Sequence, residues 1–480
     1  MANNQAITTP ISIRNIGQHG LITDTVIDES LMPTGAVSWA VNVHFDRIGA
    51  ATVRTGITII GSQIADTYSI KGLHQFLDTG AGTNDRLIAV ANTVVYALVS
   101  GTWTSKRTGL TANSKTRFTN FVDYVFMVNG VDAMNTWDGG AGNFSTTHTT
   151  SAPAAAFIDN FRSRVWAART VANPSRLYYS AIADASGNVI WTGDDSGFID
   201  IAPGDGEDIT GIKKFGTVLC VFKNSNIYRL FSINQTEPDP QISTGTYSQE
   251  SITVAKDGMY WHHPSGIYKL SKGGAAPIEI SRTIYDVIKN IARSFYSEVS
   301  SWNDDDHVYF SVGSVTINGI SITNCVIRWT ISTELWTIYD YAQRLLIGAN
   351  YDTGSEIVRV VGDNDGNVYT FDSGTTDNGT TIKYQLETRW LNISGLRSET
   401  KSIVRMAVLH EELAGANVSW RNGTELEFKP IGQLEKQESV FNSLSVRGNR
   451  IKFSIRGSST SGGVFQGFEI LEWLNEGVLN

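Results

Sequence analysis

The chain has 480 residues, a net charge of −9 from 38 basic and 47 acidic side chains, 45 glycines against 10 prolines, and 10% aromatic residues. That acidic balance argues against a protein that grips nucleic acid by neutralising its phosphates, though not against one that DNA merely passes. Abundant glycine with scarce proline and many aromatics is the composition of short strands joined by tight turns, so the expectation is an all-β protein, one large closed architecture plus a smaller domain.

The start, MANNQAITTP, opens no long apolar run, which predicts neither a secretory signal nor a membrane span. Pro10 to Glu29 is polar and irregular. Trp39 to Ile60 then alternates Val41, Val43 and Phe45 with polar partners and turns at Asp46-Arg47-Ile48-Gly49. This predicts a hairpin whose second strand runs from Ala51 to Ile60, within an N-terminal arm spanning residues 1–65.

From Ile70 a strand, turn, strand, turn, strand unit recurs. Its clearest copy is Gly206 to Ser232, with strands predicted over Ile209 to Ile212, Thr217 to Lys223 and Ile227 to Ser232. The middle strand Val218-Leu219-Cys220-Val221-Phe222 is apolar on both faces, so neighbouring sheets must cover both sides. A series of aromatic marks, Tyr96, Trp137, Tyr178, Tyr228, Tyr268, Trp329 and Tyr369, recurs at roughly 40 residues in most intervals, the period of four-stranded propeller blades. The two longer intervals hold inserted segments: Gly187 to Pro203 in one, a helix and a Gly313 to Asn324 loop in the other. Sheets stacked radially cover every middle strand, which predicts a β-propeller of about seven blades over residues 66–377.

After Ser281, Ile284, Val287, Ile288, Ile291 and Phe295 fall at helical spacing, predicting one inserted helix with an apolar stripe and a candidate role in assembly. From Asp377 the character changes. Ile382 to Trp390 alternates, Ile403 to Leu409 follows, Val418 to Phe428 folds back at Asn422-Gly423, Leu444 to Ile455 folds back at Gly448-Asn449, and Phe465 to Trp473 ends the series. A C-terminal β-sandwich over residues 378–480 is the expectation. From residue 381 onward there are 12 basic and 11 acidic side chains, against 26 and 36 before it, and every aspartate lies in the earlier part.

Catalytic and metal motifs fail their tests. Asp363-Asn364-Asp365-Gly366-Asn367 starts like a calcium loop but lacks the closing glutamate, and a hairpin turn needs the same residue types. The histidines His19, His44, His74, His148, His262, His263, His307 and His410 show no ligand spacing. Cys220 and Cys325 sit in apolar strands and read as buried, reduced thiols. Trp137-Asp138 is a lone pair that the other units lack. The expectation is a protein that is not an enzyme, with no catalytic residue, cofactor or metal.

Taken together, Asn42-Val43 to Asp46-Arg47-x-Gly49 leading to Arg54-x-Gly56, Arg176-Leu177-Tyr178-Tyr179-Ser180, Asp208-Ile209-Thr210-Gly211 ahead of Phe222-Lys223 and Ile227-Tyr228, Gly266-Ile267-Tyr268 with Ile280-Ser281-Arg282, and Arg447-Gly448-Asn449-Arg450-Ile451 resemble the tail nozzle, or tail hub, proteins of short-tailed bacteriophages. The resemblance spans most of the chain through structural motifs, each of low specificity. It implies a virion protein with a β-propeller and β-sandwich elements that is assembled in the host cytoplasm. It also implies a ring with other copies of itself, usually six, that lines the DNA ejection channel and contacts adaptor or portal-side proteins and tail fibres or a needle. A channel for DNA should repel phosphate, so the acidic loops with Asp194 and Asp195, with Asp205, Glu207 and Asp208, and with Asp304, Asp305 and Asp306 are the candidate lumen-facing residues. The competing expectation is a carbohydrate-binding or adhesive propeller in which Trp103, Trp191, Trp261 or Trp336 stacks on sugar rings.

Overall fold

Six sheets follow one another along the chain, all but the third made of consecutive strands, and each shares an apolar cluster with the next. The computed structural model describes residues 10–478 except 25, 27, 48, 65–67, 79–83, 185–186, 236–238, 275, 394–398, 436 and 460–461. The opening residues 1–9, on which the expectation of no signal segment rests, lie outside the described residues. Among the described residues no helix is long and apolar enough to cross a membrane.

The first blade is Ile70–Phe76, Arg86–Ala91, Val94–Val99 and Thr102–Arg107, and the second is Arg117–Phe121, Tyr124–Val128 and Asn135–Trp137. The third comprises Phe157–Phe161, Arg164–Ala168, Arg176–Tyr179 and Gly197–Asp200; the fourth, Gly211–Phe215, Val218–Phe222, Ile227–Leu230 and Asp239–Ile242. Thr253–Val254, Gly258–His263, Gly266–Ser271 and Ile278–Glu279 form the fifth, and Ser300–Asn303, His307–Ile317, Ile320–Thr330 and Leu335–Asp340 the sixth. A composite run, Leu345–Asp352, Ile357–Asp363, Val368–Phe371 and the N-terminal strand Ile57–Ile59, belongs to a larger sheet. Its first strand packs between the inner strands of the sixth and first blades. The chain is a β-propeller.

The all-apolar middle strand explains itself in this arrangement. Leu219 and Val221 join the cluster shared with the third blade, while Cys220 and Phe222 join Trp261 of the fifth, all of them fully buried. Alternate residues of one strand therefore serve two neighbours, each side chain contributing about 1.5–3 kcal/mol on burial. Every aromatic mark lies in the third strand of its sheet, from Tyr96 in Val94–Val99 through Trp329 in Ile320–Thr330 to Tyr369 in Val368–Phe371. The interval of roughly 40 residues thus measures one strand position from sheet to sheet.

Both chain ends fold together beside the sixth blade. Val43–Arg47 and Ala50–Val53 continue into the sheet of Glu399–Glu411 and Val464–Val478, which Ile11–Ile13 also joins. Val37–Val41 pairs with Thr380–Thr388, which also pairs with Thr376–Asp377 and with Ile451–Ser459 and, beyond the latter, Asn417–Asn422 and Lys429–Gln433. One large core cluster runs between these two sheets and into the fifth and sixth blades.

Several local expectations are corrected. The second strand predicted from Ala51 to Ile60 breaks after Val53, because Arg54 turns inward and Ile57–Ile59 leaves to pair with Val368–Phe371. The fourth-blade strand predicted at Ile209 to Ile212 starts at Gly211 and runs through Phe215. Gly313 to Asn324 is not a loop but the far half of a hairpin of two 11-residue strands, whose Val315, Ile317 and Ile322 enter the large core. Gly187 to Pro203 carries Gly197–Asp200, the outer strand of the third blade, rather than a mere insertion. At Asn422-Gly423 there is no two-residue turn, since Trp420 pairs with Lys429 across a longer loop. Gly448-Asn449 joins strands of different sheets, Val446–Gly448 and Ile451–Ser459. The predicted helix shrinks to Tyr285–Lys289 flanked by short 3-10 turns, and Ile284, Val287, Ile288 and Ile291 are buried in the protein's own core with Phe295 packed against them, so the stripe offers no free assembly face.

Candidate functional site: the axial mouth of the propeller

The innermost strands converge on a cavity of about 170 Å³. It is lined by Leu73 and His74 from the first blade, Phe118 from the second, Ile158 and Asp159 from the third, Lys213 from the fourth, Ile252 beside the fifth, Ser301 from the sixth, and Ile347 and Gly348 from the composite sheet. One axis therefore serves all of them. His74 lies flat against Phe118, ring centroids 5.5 Å apart, with Nε2 3.0 Å from the Asn120 side-chain oxygen, and burial pushes its pKa down to about 4.

Because successive strands are antiparallel, their turns alternate between two faces. The front carries the turns from first to second and third to fourth strand; the back carries those from second to third and the links to the next blade. On the back, the axis opens into adjoining cavities of about 410 and 310 Å³ that share Lys115, Arg117 and Arg169. Arg117 Nε donates to Glu250 at 2.7 Å, Nη1 donates to the Ala156 carbonyl at 2.9 Å, and the guanidinium lies over Phe157 at 4.5 Å. Lys115 reaches Glu250 at 3.3 Å and Glu298 at 3.7 Å, and Arg169 meets Asp208 at 3.2 Å. Burial alone would raise the Glu250 pKa, but Arg117 and Lys115 outweigh it and hold the carboxyl at about 2. Each cation at this mouth faces an acid, and among the described residues no group of His, Cys, Asp and Glu could hold a metal ion. The arrangement can bind and brace. Ser248 Oγ donates to Glu250 at 3.1 Å there, but a carboxylate held at about 2 is a weak general base.

The candidate lumen residues are split between the faces and largely committed within the chain. Asp194 and Asp195 are on the front, where Asp195 accepts from Arg164 Nη2 at 2.6 Å. Asp304, Asp305 and Asp306 share that face. Asp304 accepts from His307 Nδ1 at 2.9 Å and from the Tyr309 hydroxyl at 3.2 Å, and Asp306 pairs with Lys256 at 2.6 Å. Asp205, Glu207 and Asp208 are on the back: Asp205 pairs with the fully buried Lys223 at 2.7 Å and Glu207 accepts from the Ser225 backbone at 3.0 Å. Asp194 and Asp305 are exposed.

Asp363 is saturated as a turn cap, accepting from the Asp365 and Asn367 backbones, the Asn367 side chain and the Tyr369 hydroxyl. Of the four tryptophans, Trp261 and Trp336 are fully buried and unable to stack on a sugar, whereas Trp103 and Trp191 are half-buried. Cys220 and Cys325 are free, buried thiols. Sequence reasoning missed Lys115, Arg117, Arg169 and Glu250. Each sits just outside or at the end of an ordinary strand, and only the closure of the ring brings them together.

No family model matches the sequence, and no curated protein matches it. Among solved structures the chain is similar to YCF48 from Cyanidioschyzon merolae, at 11% identity and a TM-score of 0.41, covering 65% of this chain and 98% of that one. It is similar to BamB from Moraxella catarrhalis at 11% identity and a TM-score of 0.39, covering 77% and 98%, and to U3-55K at 8% identity and a TM-score of 0.40, covering 65% and 97%. Likeness of this degree carries no functional argument.

Proposed function

We propose that this protein is a structural subunit of the tail nozzle, or hub, of a short-tailed bacteriophage, forming a ring of copies, six in number, through whose lumen DNA is ejected. In this reading the composite sheet counts as a seventh blade closed by Ile57–Ile59, and the two sheets woven from both chain ends are the closing β-sandwich. The domain bounds are 1–65, 66–377 and 378–480. The observation that carries the reading is the way the chain ends are locked into one body. Arg54 donates to both carboxylate oxygens of Asp377 at 2.7 Å, to Asn42 and to the Asp340 carbonyl, joining the arm, the sixth blade and the start of the closing sheets. Such bracing suits a wall that must hold its shape under load.

The propeller axis itself is not a path for DNA. A cavity of about 170 Å³ lined by residues in or beside the inner strand of every blade is far too small for a duplex whose major groove alone is about 12 Å wide. DNA would run along the outside of each propeller, through a tube made by several copies. A lumen lined by the front face would present Asp194, Asp195, Asp304, Asp305 and Asp306, and one lined by the back face Asp205, Glu207 and Asp208. Adaptor-side proteins and tail fibres or a needle are the further partners of this reading, which assigns no enzymatic activity. Negative-stain microscopy of the purified protein mixed with tail particles lacking their tip tests it: added density completing the tip supports the assignment, and no association at micromolar concentration overturns it.

A further inference from the structure

The outer face of the sheet holding Thr380–Thr388, Ile451–Ser459 and Asn417–Asn422 carries an unusual row. Arg421 pairs directly with Lys452 across the strands, and Arg389 follows directly on Thr380–Thr388, the strand that pairs with the other side of Ile451–Ser459. Like charges placed opposite one another on a sheet repel. Here they also crowd one indole: the Arg421 and Arg450 guanidinium carbons and Lys452 Nζ lie 5.0, 4.9 and 5.1 Å from the Trp390 ring centroid. A ring has two faces, so at least two of these cations share one.

What covers the row is an acidic turn of the N-terminal arm, Glu29–Leu31, capped by Asp28. Glu29 pairs with Lys452 at 2.5 Å, Asp28 approaches Arg450 at 4.0 Å, and the Ser30 carbonyl and Thr34 hydroxyl accept from Arg389. The charges do not balance. Among the described residues, four cations, Arg389, Arg421, Arg450 and Lys452, meet two carboxylates, while Glu387 is taken by Arg456. Among the described residues neither Arg389 nor Arg421 has a carboxylate within salt-bridge reach, and the Nε of each is buried without a hydrogen-bond partner. Lys452 is sunk almost completely, which keeps water from screening the surplus.

We propose that the row Arg389, Lys452 and Arg421, with Arg450 and Trp390 beside it, is a binding site for a doubly charged phosphate-type oxyanion, and that the turn bearing Asp28 and Glu29 is a displaceable strap competing for it. A dianion neutralises the surplus of two and offers acceptors to the unpartnered guanidinium N–H groups, the geometry that arginine forks recognise. The strap is suited to release. It is one short 3-10 turn, its Leu31 is exposed, and Val26 just ahead of it is exposed as well. The inference stands on its own contacts and does not depend on the nozzle reading.

Titration of the full chain with inorganic phosphate at pH 7.5, followed by calorimetry and tryptophan emission, tests it. Binding by the native protein is expected, tightened severalfold in Asp28→Asn and in Glu29→Gln and weakened about tenfold in Arg421→Gln, the loss of one charge-assisted contact. Circular dichroism melts check that each variant folds; Asp28 is more exposed than Glu29, and Asp28→Asn with Arg421→Gln suffices if Glu29→Gln does not fold. A second arm adds a short DNA duplex. Displacement of phosphate by duplex identifies backbone phosphate as the source, and undisturbed phosphate binding identifies free phosphate. No binding by any form, or affinities unchanged between native, Asp28→Asn and Arg421→Gln proteins, overturns the proposal.

Discussion

Replacing Arg54 by methionine is expected to cost about 3–5 kcal/mol, the usual penalty when one member of a buried ion pair is removed. The Arg54 and Asp377 side chains are only 1% and 3% exposed. Methionine keeps the length of the stem but withdraws every donor, leaving the Asp377 carboxylate with the Ala342 backbone N–H, which donates at 3.0 Å, and losing the stacking of the guanidinium 3.7 Å from the Tyr341 ring centroid. Most of the loss is the cost of a stranded charge rather than the worth of the pair. The double variant Arg54→Met/Asp377→Leu should therefore regain about half of it, a non-additivity expected of partners in direct contact. Urea unfolding followed by tryptophan emission reads the midpoint. A loss below about 1 kcal/mol for the single variant, or a double variant no more stable than the single, refutes the reasoning.

Three other outcomes follow from the same structure. A Cβ on Gly56 would stand 1.8 Å from the Thr376 carbonyl oxygen, so Gly56→Ala must push Ile57–Ile59 away from the closing strands; a loss of about 1–3 kcal/mol in the same urea assay is expected. Burial, with no hydrogen-bond partner for either ring nitrogen, pushes the His262 pKa down to about 3 from 6.5. The unfolded chain then takes up the proton first, so the stability held above pH 6.5 drains as pH falls towards 3, by at most about 1.4 kcal/mol per unit, and His262→Phe should lower its melting temperature less between pH 7 and 5 than the native chain does. Burial also pushes the Cys220 thiol up to about 12 and Cys325 higher still, so neither should react with an aromatic disulfide reagent at pH 8 until denaturant is added.

The repeat was legible because it is local. A strand apolar on both faces announces cover on both sides, and an aromatic at one strand position announces itself each time the unit returns. The motif Arg54-x-Gly56 was visible too, and its reason is physical: Arg54 reaches inward to Asp377, and Gly56 permits the close approach to Thr376. What the sequence hid is the pairing of residues far apart. Nothing near Ile57 says that its strand joins Tyr369, and nothing near Glu250 says that Arg117 will meet it. Turn dipeptides misled for a related reason. Gly448-Asn449 and Asn422-Gly423 carry hairpin chemistry, yet tertiary pairing sends the flanking strands to different sheets in the first case and lengthens the loop in the second. The helical spacing after Ser281 was real, but its apolar residues are consumed by the core rather than offered to a partner.

The claim that this chain is one wall segment of a larger tube is tested most directly by native mass spectrometry of the purified protein. A dominant species at six times the 52.5 kDa of the single chain is the predicted result, and a monomer that persists from low to high micromolar concentration contradicts it.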